Sequence, residues 1–433
     1  MAMQGSEATA AGEDGGGSLL PWLAKVTGDA SLESKVALQD LGDGRGRGLR
    51  ALRNLAPDEV IFSLPFTLVF AEQHDEDNDE DEDDMPWSAL MAIRLLEERA
   101  RGGDLAPWIA SLPHFVSTPP LEFTPEELAM AEDAAAEAEA AAVAAAHARA
   151  SETLRGRLEA IGCDERDLRW ATGVLHSRCF THGPRGTHLA VPGVDMCNHC
   201  FEMPTAAVRV VTSPENCQGA RATEEIASAP GGDGEDDDAF FQLCVGEDGI
   251  EEGEEVTISY GPWPNDPFFL YFGFVPQGNP NDAVVLFDDV ADVAACAARL
   301  GLLSLEQEQA AIAAAAAAAD DSGGGDAVGA AARGVSRRRM VITREGVDPS
   351  VVAAAAAVGL EGWEGVVEGR CRELLREYPT KLKEDRAMLF EGRVKTQNEV
   401  TSVLYRMSKK EVLLGPLAAA AAAAAAAREA EAA

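Results

Sequence analysis

Asp195-Met196-Cys197-Asn198-His199, set inside an apolar run, and Ile258-Ser259-Tyr260-Gly261, a tyrosine closing a strand-like string, decide how this chain is read. An acid, an amide and an imidazole packed among Val191, Val194 and Met196 are not the composition of a solvated loop. The cluster reads in two ways, as a self-satisfied buried network or as hydrogen-bonding groups for a polar heteroaromatic ligand. Upstream, Arg178 in His176-Ser177-Arg178-Cys179-Phe180 is a cation at a helix end among apolar neighbours. It implies a carboxylate partner, in the protein or on a ligand.

Working outward, short strands are predicted at Val36-Ala37-Leu38, Leu49 to Leu52 and Val60 to Leu64, and again at Leu189-Ala190-Val191, Ala207 to Val211, Phe240 to Val245 and Val256 to Ser259. Between the two groups the spacing of Leu90, Ile93, Leu95 and Leu96 turns helical. Thr124-Pro125-Glu126-Glu127 opens a further helix, with Thr124 as N-cap and Pro125 in the first turn, expected to run through the Ala-rich segment to about Ala150. Leu158, Ile161, Leu168 and Val174 continue the helical pattern toward Cys179. The order of β, helices, β, then helices past Pro280 gives an α+β chain. Its limits are a tail at 1–17, a β-rich domain at 18–280 with a helical insertion at about 86–180, and an all-α C-terminal domain at 281–416. Loops at 73–85 and 212–238, a linker at about 310–334 and an Ala-rich end at 417–433 complete it.

The chain of 433 residues holds 36 Lys plus Arg against 74 Asp plus Glu, a net charge of -38. That charge disfavours nonspecific binding of nucleic acid or an anionic membrane and attracts basic protein segments. Much of it lies in runs such as Asp75 to Asp84, which read as solvated loops. Eight cysteines without framework spacing suit reduced thiols in an intracellular protein. No stretch has the length and side chains of a membrane span, and the acidic N-terminus suits neither a secretory nor an organellar leader. The expectation is a soluble, monomeric protein, cytoplasmic first, with chloroplast or nucleus as the other compartments considered.

Gly42-Asp43-Gly44-Arg45-Gly46-Arg47-Gly48 lacks the Lys and Ser or Thr of a P-loop and leads into a strand rather than a helix. It is a tight turn or a loop that lets a ligand approach the backbone. Cys197, His199 and Cys200 lack a second ligand pair at zinc spacing, so no metal is expected. A Cys197 nucleophile with His199 as base lacks an orienting group.

Taken in order, Gly46-Arg47-Gly48-Leu49, Ser177-Arg178-Cys179-Phe180, Asp195 to His199, Gly253 to Gly261, and Asn265-Asp266 leading to Tyr271-Phe272-Gly273-Phe274-Val275-Pro276 resemble a SET-domain methyltransferase. More narrowly the chain resembles the branch of the Rubisco large-subunit lysine methyltransferases and the actin-histidine methyltransferase, whose SET domain is split by a helical insertion and followed by a helical substrate-binding domain. Tyr378 to Asp385 and Leu404 to Lys410 extend the likeness into that second domain.

The resemblance implies S-adenosylmethionine as methyl donor and a protein substrate presenting a lysine. It assigns Arg45, Gly46, Arg47, Gly48, Arg178, Asp195, Asn198 and His199 to the cofactor, and Tyr260 to catalysis. Phe180, His182, Phe272 and Phe274 would line the substrate channel. Phe180 stands where the histidine-methylating relative has Asn, which favours lysine. Phe272 stands where the plant Rubisco enzymes usually have Tyr, which leaves the degree of methylation open. Histidine methylation and a catalytically silent SET-like binding module are the alternatives, and core packing is the other reading of both phenylalanines.

Overall fold

The computed structural model describes residues 18–42, 46–72, 85–182, 186–211, 239–307, 309–310 and 339–432. The tail at 1–17, the loops at 73–84 and 212–238, most of the 310–334 linker and Arg45 fall outside them. The chain divides into two compact units, Met1–Val116 with Ala145–Gly261, and Ser117–Ala144 with Pro262–Ala433.

Among its described residues the first unit holds ten short strands: β1 Val36–Asp40, β2 Arg47–Ala51, β3 Val60–Pro65, β4 Phe70–Ala71, β5 Cys179–His182, β6 Thr187–Ala190, β7 Asn198–His199, β8 Ala206–Val211, β9 Phe240–Val245 and β10 Glu255–Ile258. They form three sheets, in the orders β1-β2-β10-β7, β3-β9-β8 and β4-β6-β5. Each longer strand lies within a residue or two of its apolar string in the sequence. Of the three that periodicity missed, β4 and β7 are two residues long, too short for a period of two to show, and β5 reads Cys179-Phe180-Thr181-His182, without apolar alternation. Leu49, Ile61, Phe62, Leu64, Phe241, Leu243, Val256 and Ile258 bury their side chains in one core with Met91, Leu95, Leu96, Leu168, Val174 and Leu175 of the helices Trp87–Arg101 and Glu165–Arg178. Asp164 caps the second helix through a capping box with Asp167, satisfying amides that helix geometry leaves without partners.

Thr124 does form the expected capping box with Glu127, but its helix ends at Ala129 and a new one runs Ala134–Thr153. The break is tertiary in origin. Glu132 adopts a left-handed φ of 51°, costly for a residue with a Cβ. Its carboxylate receives Lys410 Nζ at 3.0 Å and Arg406 Nη1 at 3.1 Å, while the Met130 carbonyl accepts from Arg406 at 2.7 Å. Charge-assisted bonds of this kind outweigh the modest helix propensity of four residues.

In the second unit the helices Val290–Arg299, Pro349–Ala357, Glu364–Glu377, Leu382–Phe390 and Gln397–Ala432 dominate, as the sequence reading expects. To them the structure adds a two-stranded antiparallel ribbon of β11 Ala283–Phe287 and β12 Met340–Thr343. The last helix continues through Pro416 into the Ala-rich end. Leu286, Val293, Ile342, Val351, Val366, Val367, Val412 and Leu413 form its core. Among the described residues no helix is long and apolar enough to cross a membrane.

Candidate active site

The first sheet brings three of the quoted strings together. β10 pairs with β2 antiparallel, Val256 opposite Leu49, and with β7 in parallel, Thr257 opposite Asn198 and Ile258 opposite His199. Gly46, at φ 70°, closes the turn before β2 by accepting the Leu41 amide at 2.9 Å. Gly48 is closely packed: a Cβ there would lie 2.5 Å from Leu41 Cδ1, 3.0 Å from Asn198 Nδ2 and 3.3 Å from Glu255 Oε1, so these side-chain ends would have to shift. Asn198 Nδ2 donates to that Glu255 oxygen at 2.8 Å. The side chain of Arg47 turns away to the end of the helix Ala106–Ser111, donating to the Ser111 carbonyl at 2.6 Å, where a cation meets carbonyl groups that lack helical partners.

Arg178 ends the helix Glu165–Arg178 beside the turn Val194–Met196. Its Nη1 donates to the backbone carbonyl of Asp195, lies 3.5 Å from Asp195 Oδ2 and 3.7 Å from Met196 Sδ. Asp195 is enclosed, its side chain 0% exposed. It accepts Trp108 Nε1 at 3.0 Å and the Gly193 amide at 2.9 Å, so it holds Arg178 from inside the core. Burial raises the Asp195 carboxyl pKa, and Arg178 opposes that shift. Arg178 Nε is buried and has no hydrogen-bond partner among the described residues.

His199 Nδ1 accepts the Tyr260 amide at 3.0 Å, which assigns the ring proton to Nε2 in the neutral tautomer. The ring packs edge-on to Phe201 at 4.0 Å and tilted against Tyr260 at 5.0 Å. Tyr260 Oη donates to the Cys197 carbonyl at 2.7 Å. Burial raises its pKa well above the ordinary phenol value, so it is a protonated donor at neutral pH with its lone pairs turned elsewhere. Cys197 itself is a core residue, and the seven described cysteines are free.

On β5, Phe180 pairs with Leu189 and is half-buried. His182, two residues on, is buried with its ring 5.9 Å from Phe66 and 6.1 Å from Phe241. Phe272 and Phe274 belong to the second unit, each with its ring 5.3 Å from Phe268. Between them Gly273 has φ 77°, and a Cβ there would lie 2.1 Å from the Ser117 carbonyl. Sequence reasoning missed Trp108 and gave Glu255 no role. Glu255 sits inside a quoted string, whereas Trp108 has no local signal of its tie to Asp195.

Burial lowers the His199 imidazole pKa to about 4 and that of His176, two residues before Arg178, to about 3. Both would titrate near ~6.5 unfolded. The unfolded chain therefore binds more protons below that pH, and stability is lost as pH falls from about 6.5 toward these values. The melting temperature should drop between pH 7 and pH 4.5, and His199→Asn should flatten that drop. Identical slopes for variant and parent would contradict the assignment.

Residues 362–413 match the family model of the Rubisco LSMT substrate-binding domain. No curated protein matches the chain significantly in sequence. Among solved structures, the chain is similar to the SET domain of LSMT bound to lysine and AdoHcy, at 17% identity and TM-score 0.58, covering 92% of this chain and 89% of that one. Rubisco LSMT bound to AdoMet gives 17% identity and TM-score 0.58 over 93% of this chain and 90% of that one. The chain has the split SET fold with a helical C-terminal region. Within that region it carries a segment of the Rubisco LSMT substrate-binding type.

Proposed function

We propose that this protein is an S-adenosylmethionine-dependent protein-lysine N-methyltransferase acting on a non-histone protein. The observation that carries the reading is Arg178: Nη1 is committed to Asp195, and Nε, buried and without a partner among the described residues, can still take a carboxylate. The solved structures of similar fold are described as bound to AdoMet, to lysine and AdoHcy, or to sinefungin and monomethyllysine, which supports the same ligand class here.

The residues present fit that cofactor. Arg178 Nε–H would bind its carboxylate, and Asp195, through Trp108, keeps the guanidinium aimed. At Gly46 nothing lies within 4 Å of where a Cβ would stand, so the backbone just before β2 can be approached closely. Asn198, and His199 as a neutral ring, suit an adenine edge and face. When bound, the cofactor supplies an electrophilic methyl on a sulfonium.

Tyr260 has spent its proton on the Cys197 carbonyl, so the lone pairs of its oxygen are what a polarised methyl and an incoming amine would meet. Collinear positioning of acceptor and donor supplies much of the acceleration in such a displacement. A lysine amine, with a pKa near ~10.4 in water, is pushed toward its neutral form by desolvation and by a neighbouring cation. Phe180 offers a ring face to the lysine stem and no hydrogen bond to an imidazole, which supports lysine over histidine.

Calorimetric titration with S-adenosylmethionine should show binding. Arg178→Lys, which keeps a charge for Asp195 and loses the fork, should weaken it roughly tenfold to a hundredfold, and an unchanged affinity would remove Arg178 from the role. Transfer of tritiated methyl to a protein in a lysate, with methyl-lysine as the product by mass spectrometry, tests the reaction. Cofactor binding without any transfer would point to the silent module, and methyl-histidine to the other branch.

A further inference from the structure

The helix Leu382–Phe390 has one face committed to the core of its unit. Asp385, buried, receives Arg406 Nε at 3.0 Å and Lys410 Nζ at 2.7 Å, and Met388 Sδ lies 3.7 Å from Arg406 Nη2. Away from that stripe, Lys383, Arg386 and Phe390 follow one another at helical spacing i, i+3, i+7, and all three are exposed. Phe390 is 93% exposed, an aromatic ring left almost wholly in water, whose burial against a partner would be favourable. Gly392 at φ 64° then ends the helix and leads into exposed Arg393 and Lys395.

The charge around this ring is opposite to that of the chain. Residues 376–396 hold six exposed basic side chains against three exposed acidic ones, in a protein of net charge -38. Arg386 is paired with Glu411, and Arg393 with Glu391, but Lys381, Lys383 and Lys395 form no ion pair among the described residues.

We propose that Lys383, Arg386, Phe390, Arg393 and Lys395 form a docking surface for a protein segment that combines acidic and apolar side chains. The proposal rests on the methyltransferase reading only in taking that segment to belong to the substrate protein. Charge complementarity selects the acids, and Phe390 selects the apolar partner. The chain's own run Asp75 to Asp84 has no apolar side chain and so cannot cover the ring. Nucleic acid would be repelled by the net charge over any distance beyond this patch.

Fluorescence anisotropy of the full chain with a labelled peptide of about fifteen residues, alternating Asp or Glu with Leu or Phe, tests this. Binding that weakens with salt is expected, as is a roughly tenfold loss for Phe390→Ser at unchanged melting temperature. Lys383→Glu with Lys395→Glu should remove most of the salt dependence. Equal binding by Phe390→Ser, or equal binding of an all-acidic peptide, would overturn the proposal. So would displacement by a single-stranded oligonucleotide, or self-association in sedimentation velocity that Phe390→Ser abolishes, which would give the face to a second copy. Because the readout involves neither cofactor nor methyl transfer, failure here leaves the proposed reaction to its own assays.

Discussion

Tyr260→Phe is expected to lower the rate of methyl transfer by about a hundredfold or more while leaving S-adenosylmethionine affinity within a few-fold of the parent. The phenyl ring would keep its packing against His199, now 5.0 Å away. What disappears is one oxygen. That oxygen donates to the Cys197 carbonyl at 2.7 Å and, with its pKa raised by burial, presents lone pairs rather than a charge. If it acts only in the transition state, kcat and kcat/KM should fall together. The lost hydrogen bond should cost about 1 kcal/mol of stability, far too little to account for such a drop. An unchanged kcat, or an activity loss that tracks the fraction unfolded, would remove Tyr260 from catalysis.

The strings around Tyr260, Asn198 and Arg178 were legible because each sets a polar side chain against apolar neighbours, and a buried polar group must have a stated purpose. Less legible was which partner each group takes. The carboxylate implied by Arg178 turns out to be Asp195 in part, seventeen residues on, and Asp195 is oriented by Trp108 from the middle of the helical insertion. Nothing local marks that indole for the task. The same limit explains the helix opened by Thr124. Its start is a local device and was readable, while its end at Ala129 is imposed by Arg406 and Lys410 from more than two hundred residues away. Lys409 and Lys410 carry no local sign of burial in the sequence, yet both are buried.

Lys410→Met should therefore be strongly destabilising, at about 3–5 kcal/mol. Lys410 Nζ is 1% exposed at the side chain and binds Glu132 Oε2 at 3.0 Å, Asp385 Oδ2 at 2.7 Å and Thr380 Oγ1 at 2.8 Å, with the Tyr378 ring 4.7 Å away. Removing it leaves Glu132 and Asp385, enclosed and both also in hydrogen-bond contact with Thr380, with one fewer cation beside Arg406, and the cost is that of a buried charge without its counterpart rather than the worth of one contact. A drop of the melting temperature by roughly 6–20 °C follows for a unit of this size. Hydrogen exchange should rise first at 130–133, 378–390 and 400–413, where the network is anchored. Glu132→Gln added to Lys410→Met should recover part of the loss, since it deletes one of the orphaned charges. A melting temperature within 2 °C of the parent, or an additive double variant, would show that the network contributes little. Lys409, whose pKa is raised by Asp266 and Asp282 against the opposing effect of burial, adds a second signature. Its contribution is complete below the unfolded lysine value near ~10.4 and is lost as pH climbs through the higher folded value. Alkaline unfolding of the parent should then begin above that pH, and Lys409→Met should remove this component of the transition.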